Sequence, residues 1–323
     1  MNVKNIALPI ALFALTTAPV VRAQEGVVPT QALIQLDSKN PQALGVTNMT
    51  LKVDNHPAEI QAVTQVLPAH AQVALLIDDG LRTSFGRNFQ DLNTFVNGLP
   101  AGIEVLVGYM QNGGINVVQP FTTDHAAAAT KLRIPFGSPG ISASPYFCLS
   151  EFSKSWPGAA PEGRRNPEAL APMVPAAAGT RKARFVLMIT NGVDPYNGST
   201  SILNQNSPYV DAAVRDAQRA GVAVYSIYFS DAGFRGGQGS FSGQSYLAQV
   251  AERTGGTAYF EGTGNPVSLT PFFSQFEKAI SETYVATFDA SGRDLVRIKA
   301  STNLPKTHLH TAELVRPGTQ LAD

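Results

Sequence analysis

Two short, uninterrupted apolar runs, Val73–Ile77 (VALLI) and Phe185–Ile189 (FVLMI), with a third strand-like stretch at Val222–Tyr228 (VAVYSIY) broken only by Ser226, constrain this chain more than any other feature. Runs of this length without alternation are what strands look like when both faces of a sheet are covered. Between them the period changes. Phe89, Leu92, Phe95, Val96 and Leu99 fall on one helical stripe, as do Val210, Ala213, Val214 and Ala217, then Tyr246, Leu247, Val250 and Ala251, and finally Phe272, Phe276 and Ile280. Strands alternating with helices predict an α/β class, a doubly wound, mostly parallel sheet with helices on both faces.

Smaller signals refine that order. Ile103–Tyr109 and Ile115–Val118 flank Asn112-Gly113-Gly114 and predict an antiparallel hairpin. Asp124 is placed to cap an Ala-rich helix running to Leu132, Ser144-Pro145 starts another, and Gly221 ends the helix before Val222. Thr257–Phe260 predicts a last short strand. Gly158–Thr180 and the Gly-rich stretch Gly233–Gly243 predict loops.

The flanks have period two instead. Met49, Leu51 and Val53 alternate before a turn at Asp54-Asn55-His56-Pro57. Near the other end Tyr284, Ala286 and Phe288 alternate, then Val296, Ile298 and Ala300. The two ends are therefore expected to pair as a small β-rich module, with residues 24–70 and 284–323 flanking an α/β domain at 71–283. Residues 1–23 have the form of a signal peptide: Lys4, an apolar run from Ile6 to Val21, and small Ala23 at the cleavage position. An exported chain, periplasmic or secreted, with no later membrane span is the expectation.

Composition excludes several function classes. Basic and acidic residues number 24 each, which leaves no charge excess for nucleic-acid binding. One cysteine, Cys148, excludes an internal disulfide and any Cys-cluster metal site. His308 and His310 share one face of a strand, a spacing that can chelate a transition metal but lacks a third ligand in sequence. Tyr146, Phe147, Phe152 and Trp156 read as core at helical spacing. No His-Glu-x-x-His, phosphate-binding Gly-x4-Gly-Lys-Ser/Thr or Gly-x-Ser-x-Gly elbow occurs, so a non-enzymatic role is expected.

Four strings in order, VALLIDDG (Val73–Gly80), FVLMITNG (Phe185–Gly192), AGVAVYSI (Ala220–Ile227) and Leu247…Ala251…Thr254-Gly255-Gly256, resemble the von Willebrand factor A-type domain of exported bacterial proteins. The resemblance implies a Rossmann-like fold and a divalent cation at the carboxyl edge of its sheet. In the family the ligands come from Asp-x-Ser-x-Ser after the first strand, a middle-loop Thr and a late Asp. Here Asp78 matches the first aspartate. Gly80 and Arg82 stand in the two serine positions, Asn191 replaces the late aspartate, and Ser142 or Ser144 are the candidates for the middle hydroxyl. Asp79 and Asp194 lie off the pattern. Mg²⁺ wants near-octahedral hard oxygens, and a guanidinium nearby opposes it. Asp78, Ser142 and Asn191 are thus the residual metal set, expected not to hold Mg²⁺.

The resemblance, with these departures, implies a protein-binding or scaffold module with a degenerate adhesion-type metal site. Arg82 would serve as a built-in cation, pairing with Asp78 at rest and offering its fork to an acidic group on the partner. The expected contact residues are Asp78, Asp79, Arg82, Ser84, Ser142, Ser144, Asn191 and Asp194. The alternatives are an adhesin that needs Mg²⁺ or Mn²⁺ and, further off, a hydrolase or redox enzyme using the same cleft.

Overall fold

In a computed structural model the described residues are 26–40, 43–138, 140–158, 181–197, 206–230, 238–262, 264–292 and 294–322. The signal-like segment and most of the Gly158–Thr180 stretch fall outside them. Four strands open the chain: β1 (Val28–Ser38), β2 (Met49–Val53), β3 (His56–Ala58) and β4 (Ile60–Gln65). Then come β5 (Ala71–Asp78), α1 (Phe89–Gly98), the hairpin β6 (Glu104–Gln111) and β7 (Gly114–Thr122), and α2 (His125–Ala129). The block continues with α3 (Pro145–Lys154), β8 (Ala183–Thr190), α4 (Pro208–Ala220), β9 (Val222–Tyr228), α5 (Gln238–Thr254), β10 (Ala258–Tyr259) and α6 (Thr270–Ser281). β11 (Thr283–Ala290), β12 (Val296–Thr302), β13 (Thr307–Thr311) and β14 (Leu314–Val315) complete the order.

The central sheet has six strands in the order β10-β9-β8-β5-β6-β7. All neighbours are parallel except β6 and β7, which pair antiparallel as the Asn112-Gly113-Gly114 turn predicts. The continuous apolar runs have the expected cause. Val73, Leu75 and Ile77 point into a core with Phe95, Val96, Phe272 and Phe276 of α1 and α6. Ala74 and Leu76 point to the opposite face, against Tyr146 and Leu149 of α3, Val210 and Val214 of α4, and Val250 of α5. A side chain buried this fully contributes about 1.5–3 kcal/mol, so both faces of each strand hold the layers together.

Both flanks join one β-rich module, as expected. One four-stranded sheet runs β13-β1-β11-β4 and a second runs β14-β12-β2-β3. Ile34, Leu36, Leu51, Phe288 and Ile298 form the core between them. The α/β block is threaded between two hydrogen-bonded neighbours of the first sheet, β4 and β11. Its entry and exit meet where the Val66 N–H donates to the Thr283 carbonyl at 2.9 Å. An ion pair from Arg253 of α5 to Glu313, whose carboxylate Arg297 of β12 also holds, ties the module to that helix.

Three local expectations need correction. The Gly-rich stretch is helical from Gln238, and Gly243 is there for closeness: a Cβ on it would lie 2.1 Å from the Asn191 carbonyl oxygen. Residues 233–237 lie outside the described residues. The Asp124-capped helix stops at Ala129 instead of Leu132, because the following chain turns to hydrogen-bond Tyr109 through Arg133. The turn after β2 is Asp54-Asn55 alone, both at positive φ, and His56-Pro57 already belong to β3. Proline is tolerated at such a sheet edge.

Candidate functional site

β5 and β8 run side by side with Ile77 opposite Ile189, which brings the next residue of each strand, Asp78 and Thr190, together at the carboxyl edge of the sheet. Asp78 is 2% exposed. Its Oδ1 accepts the Gly80 N–H at 2.9 Å, and its Oδ2 accepts the Thr190 hydroxyl at 2.7 Å. The Ser142 side chain also hydrogen-bonds this carboxyl. Burial, the largest influence, pushes Asp78 above the ordinary carboxylate range, and the negative charge of Asp79 adds to it. The hydrogen bonds from Thr190, Gly80 and Ser142 oppose the rise without cancelling it.

Asp79 turns the other way. Its side chain is fully enclosed and takes both arms of the Arg133 guanidinium, at 2.6 Å on Oδ1 and 2.7 Å on Oδ2. Gln111 Nε2 and the Phe136 N–H donate to the same carboxylate. Burial alone would raise Asp79, but Arg133, Gln111 and Phe136 outweigh it and hold the group below the usual range. Two adjacent carboxyls are thus driven in opposite directions by their surroundings.

The other expected residues are distributed around this pair. Ser142 and Asn191 share a small cleft with Asp78, together with Gly80, Gly140, Ala143, Val193 and Pro195. Its cavity volume is about 20 Å³, a little more than one water requires. Asn191 Oδ1 accepts the Val193 N–H at 3.0 Å and so closes its own turn. Asp194 accepts the Ser207 hydroxyl at 2.6 Å and the Tyr196 N–H at 3.2 Å, fastening the loop after β8 to the start of α4. Ser144 is the N-cap of α3 and accepts the Tyr146 N–H at 3.3 Å. Ser84 is half-buried in the 3-10 turn Thr83–Asn88, and Arg82 stands exposed immediately before that turn.

The donor set does not fit Mg²⁺. Among the described residues one carboxylate faces the cleft, both its oxygens already accept hydrogen bonds, and its burial raises it above the ordinary carboxylate range. Gly80 brings no hydroxyl, and a Cβ there would approach Asp78 Oδ1 at 3.1 Å and the Ser138 carbonyl at 3.3 Å. Asn191 Oδ1 is committed to Val193. Among the described residues no three His, Cys, Asp or Glu side chains form a group able to hold a metal ion, and His308 and His310 are no exception. Their strand face meets Asp37 of β1, with His310 Nε2 at 3.8 Å from its carboxylate.

Three partners were not legible in the sequence. Thr190 lies in the string FVLMITNG, but nothing there marks its hydroxyl as a donor to Asp78. Arg133 and Gln111 sit 54 and 32 residues from Asp79, in segments without a motif. Of the aromatic segment read as core, Tyr146, Phe152 and Trp156 are buried, and Cys148 with them, whereas Phe147 is half-buried and packs against Tyr196 and Tyr209.

A doubly wound α/β domain whose order of strand, helix, hairpin, helices and strands carries Asp78 at the carboxyl edge is the arrangement that the von Willebrand factor A-type resemblance implies; the fold is VWA-like. Solved structures to which the chain is similar include a von Willebrand factor type A protein from Catenulispora acidiphila, at 10% identity and TM-score 0.44 over 91% of this chain and 75% of that one. The ArnB paralog VWA2 from Sulfolobus acidocaldarius matches at 8% identity and TM-score 0.37, over 89% and 76%. An aerotolerance-related membrane protein from Bacteroides fragilis matches at 11% identity and TM-score 0.38, over 66% and 99%. No family model and no curated protein matches the sequence. Among the described residues no helix is long and apolar enough to cross a membrane.

Proposed function

We propose that this chain is a non-enzymatic protein-binding or scaffold module that meets its partner at the carboxyl edge of the six-stranded sheet, without a divalent ion. One observation carries the reading. Of the eleven exposed large apolar side chains among the described residues, six belong to the loops and helix start at this edge: Ile134, Phe136, Tyr196, Tyr209, Phe260 and Val267. Apolar side chains gathered around a polar cleft are characteristic of contact surfaces.

The polar part of the contact follows from charge. Asp78, Asp79 and Asp194 are turned inward, and the side chain exposed at the rim is the cationic Arg82. An acidic group on the partner is therefore the complement. The Cys148 thiol is buried and pushed up to about 12, which removes it as a nucleophile. Export, proposed from the leader-like residues 1–23, would put the edge in contact with envelope or extracellular partners.

The test is a hydrogen-exchange footprint of a partner recovered on the purified chain in EDTA. Protection at residues 82–88, 133–138 and 194–197 is expected. A footprint on the β-rich module or the helix faces, or capture that requires added Mg²⁺ or Mn²⁺, would favour a different surface or the metal-dependent adhesin.

A further inference from the structure

The enclosed ion pair beside the cleft has a more specific task. Apart from Gln111 of β6, the groups that Asp79 holds belong to one short segment: the Arg133 guanidinium, the Phe136 N–H and, through the Asp79 carbonyl, the Gly137 N–H. The guanidinium is clamped between two rings, 3.8 Å from the Tyr109 centroid and 4.1 Å from that of Phe136. Tyr109 closes the arrangement by donating to the Arg133 carbonyl at 2.7 Å and accepting its N–H at 2.6 Å. The segment held in this way presents Ile134 and Phe136 at 49% and 64% exposure. The Ile134 Cδ1 also lies 3.5 Å from where a Cβ on Gly86 would be, against the turn that carries exposed Arg87.

Resting on the reading of this edge as the contact surface, we propose that the Asp79–Arg133 pair is a fastener that fixes Ile134 and Phe136 as the apolar anchor. The occupant is a partner peptide segment that seats a large apolar side chain on Phe136 and sets a carboxylate beside it, on Arg87. The choice of occupant follows from complementarity. The anchor is apolar, and the adjoining turn exposes positive charge at Arg82 and Arg87. Holding the anchor rigid before contact lowers the ordering cost of binding, and a guanidinium fork over a carboxylate is a pairing that lysine does not reproduce.

The experiment selects peptides from a random-sequence display library on the full chain in EDTA. Their affinities are then measured for the wild type, Phe136→Ser, Arg87→Glu, Tyr196→Ser, Asp79→Asn and Arg133→Lys, with hydrogen exchange of residues 132–138 followed in each. The expected result is enrichment of peptides that join an acid to a large apolar residue, with losses of about tenfold or more in Phe136→Ser and Arg87→Glu. Asp79→Asn and Arg133→Lys should speed exchange in 132–138 and weaken binding together, while the amides of β5 and β8 stay slow. Should Asp79→Asn fail to fold, Arg133→Lys, which keeps the charge and loses the fork, still decides. If Tyr196→Ser weakens the peptides but Phe136→Ser, Arg87→Glu and Arg133→Lys do not, the anchor is wrong and the edge stands. Peptides unaffected by every one of these substitutions, or no enrichment at all, would overturn both.

Discussion

The Thr190 hydroxyl donates to Asp78 Oδ2 at 2.7 Å, joining the ends of two central strands through a carboxyl that solvent does not reach. Thr190→Val keeps the shape and removes the donor, leaving a buried acceptor short of one partner. A loss of about 2 kcal/mol is expected, read as a lower thermal midpoint at neutral pH. Because burial raises Asp78, the folded chain binds its proton more readily than the unfolded one, so this group favours folding on the acid side and loses that advantage as pH rises through the raised value. Asp78→Asn, which imitates the neutral acid, should flatten that part of the stability profile.

Asp91 gives the opposite sign. Its carboxylate accepts the Ser268 hydroxyl at 2.6 Å and the Leu269 N–H at 2.8 Å, where α6 begins. Burial pushes it up, but these hydrogen bonds prevail and hold it below the usual value of 3.8. Its contribution is therefore complete above that value and lost as pH falls through the lowered one. Asp91→Asn should cost about 1 kcal/mol at pH 7, with the gap to wild type closing in acid denaturation curves.

Gly243→Ala places a methyl group 2.1 Å from the Asn191 carbonyl oxygen, which is backbone and has little room to yield. A loss of about 3 kcal/mol is expected. The change should also appear as faster hydrogen exchange in the turn 191–194, since that turn must move to admit the methyl.

Cys148 is completely buried and its thiol stands at about 12. The folded chain should show no reaction with a thiol reagent at pH 8, and labelling in denaturant should follow the unfolding transition. Rapid labelling of the native chain would show that the Ser142–Ser144 segment above it opens.

The fold was legible where the physics is local. A strand buried on both faces must be apolar at every position, so VALLI and FVLMI announce themselves, and Met49, Leu51 and Val53 announce one covered face in the same way. Their pairing partners could be anticipated only because both flanks lacked any other place to bury an alternating stripe. Gly243 misled for the same reason that it matters: glycine is chosen for freedom or for closeness, and only the position of the Asn191 carbonyl tells which. At the site, the motif around Asp78 gave the place but not the chemistry. Asp79 reads as a spare carboxylate until Arg133, 54 residues on, is brought to it by a chain turning around Tyr109, and an encounter of that kind leaves no period or spacing in a sequence.

Metal independence at the carboxyl edge is the claim on which the functional reading turns. The most direct measurement is the affinity of a selected peptide for the chain in EDTA and again in millimolar Mg²⁺ or Mn²⁺, with each metal also titrated alone by calorimetry. Equal affinities and no saturable heat from either ion are the predicted result. Stoichiometric metal binding that Asp78→Asn abolishes, together with peptide binding that vanishes in EDTA, would contradict it.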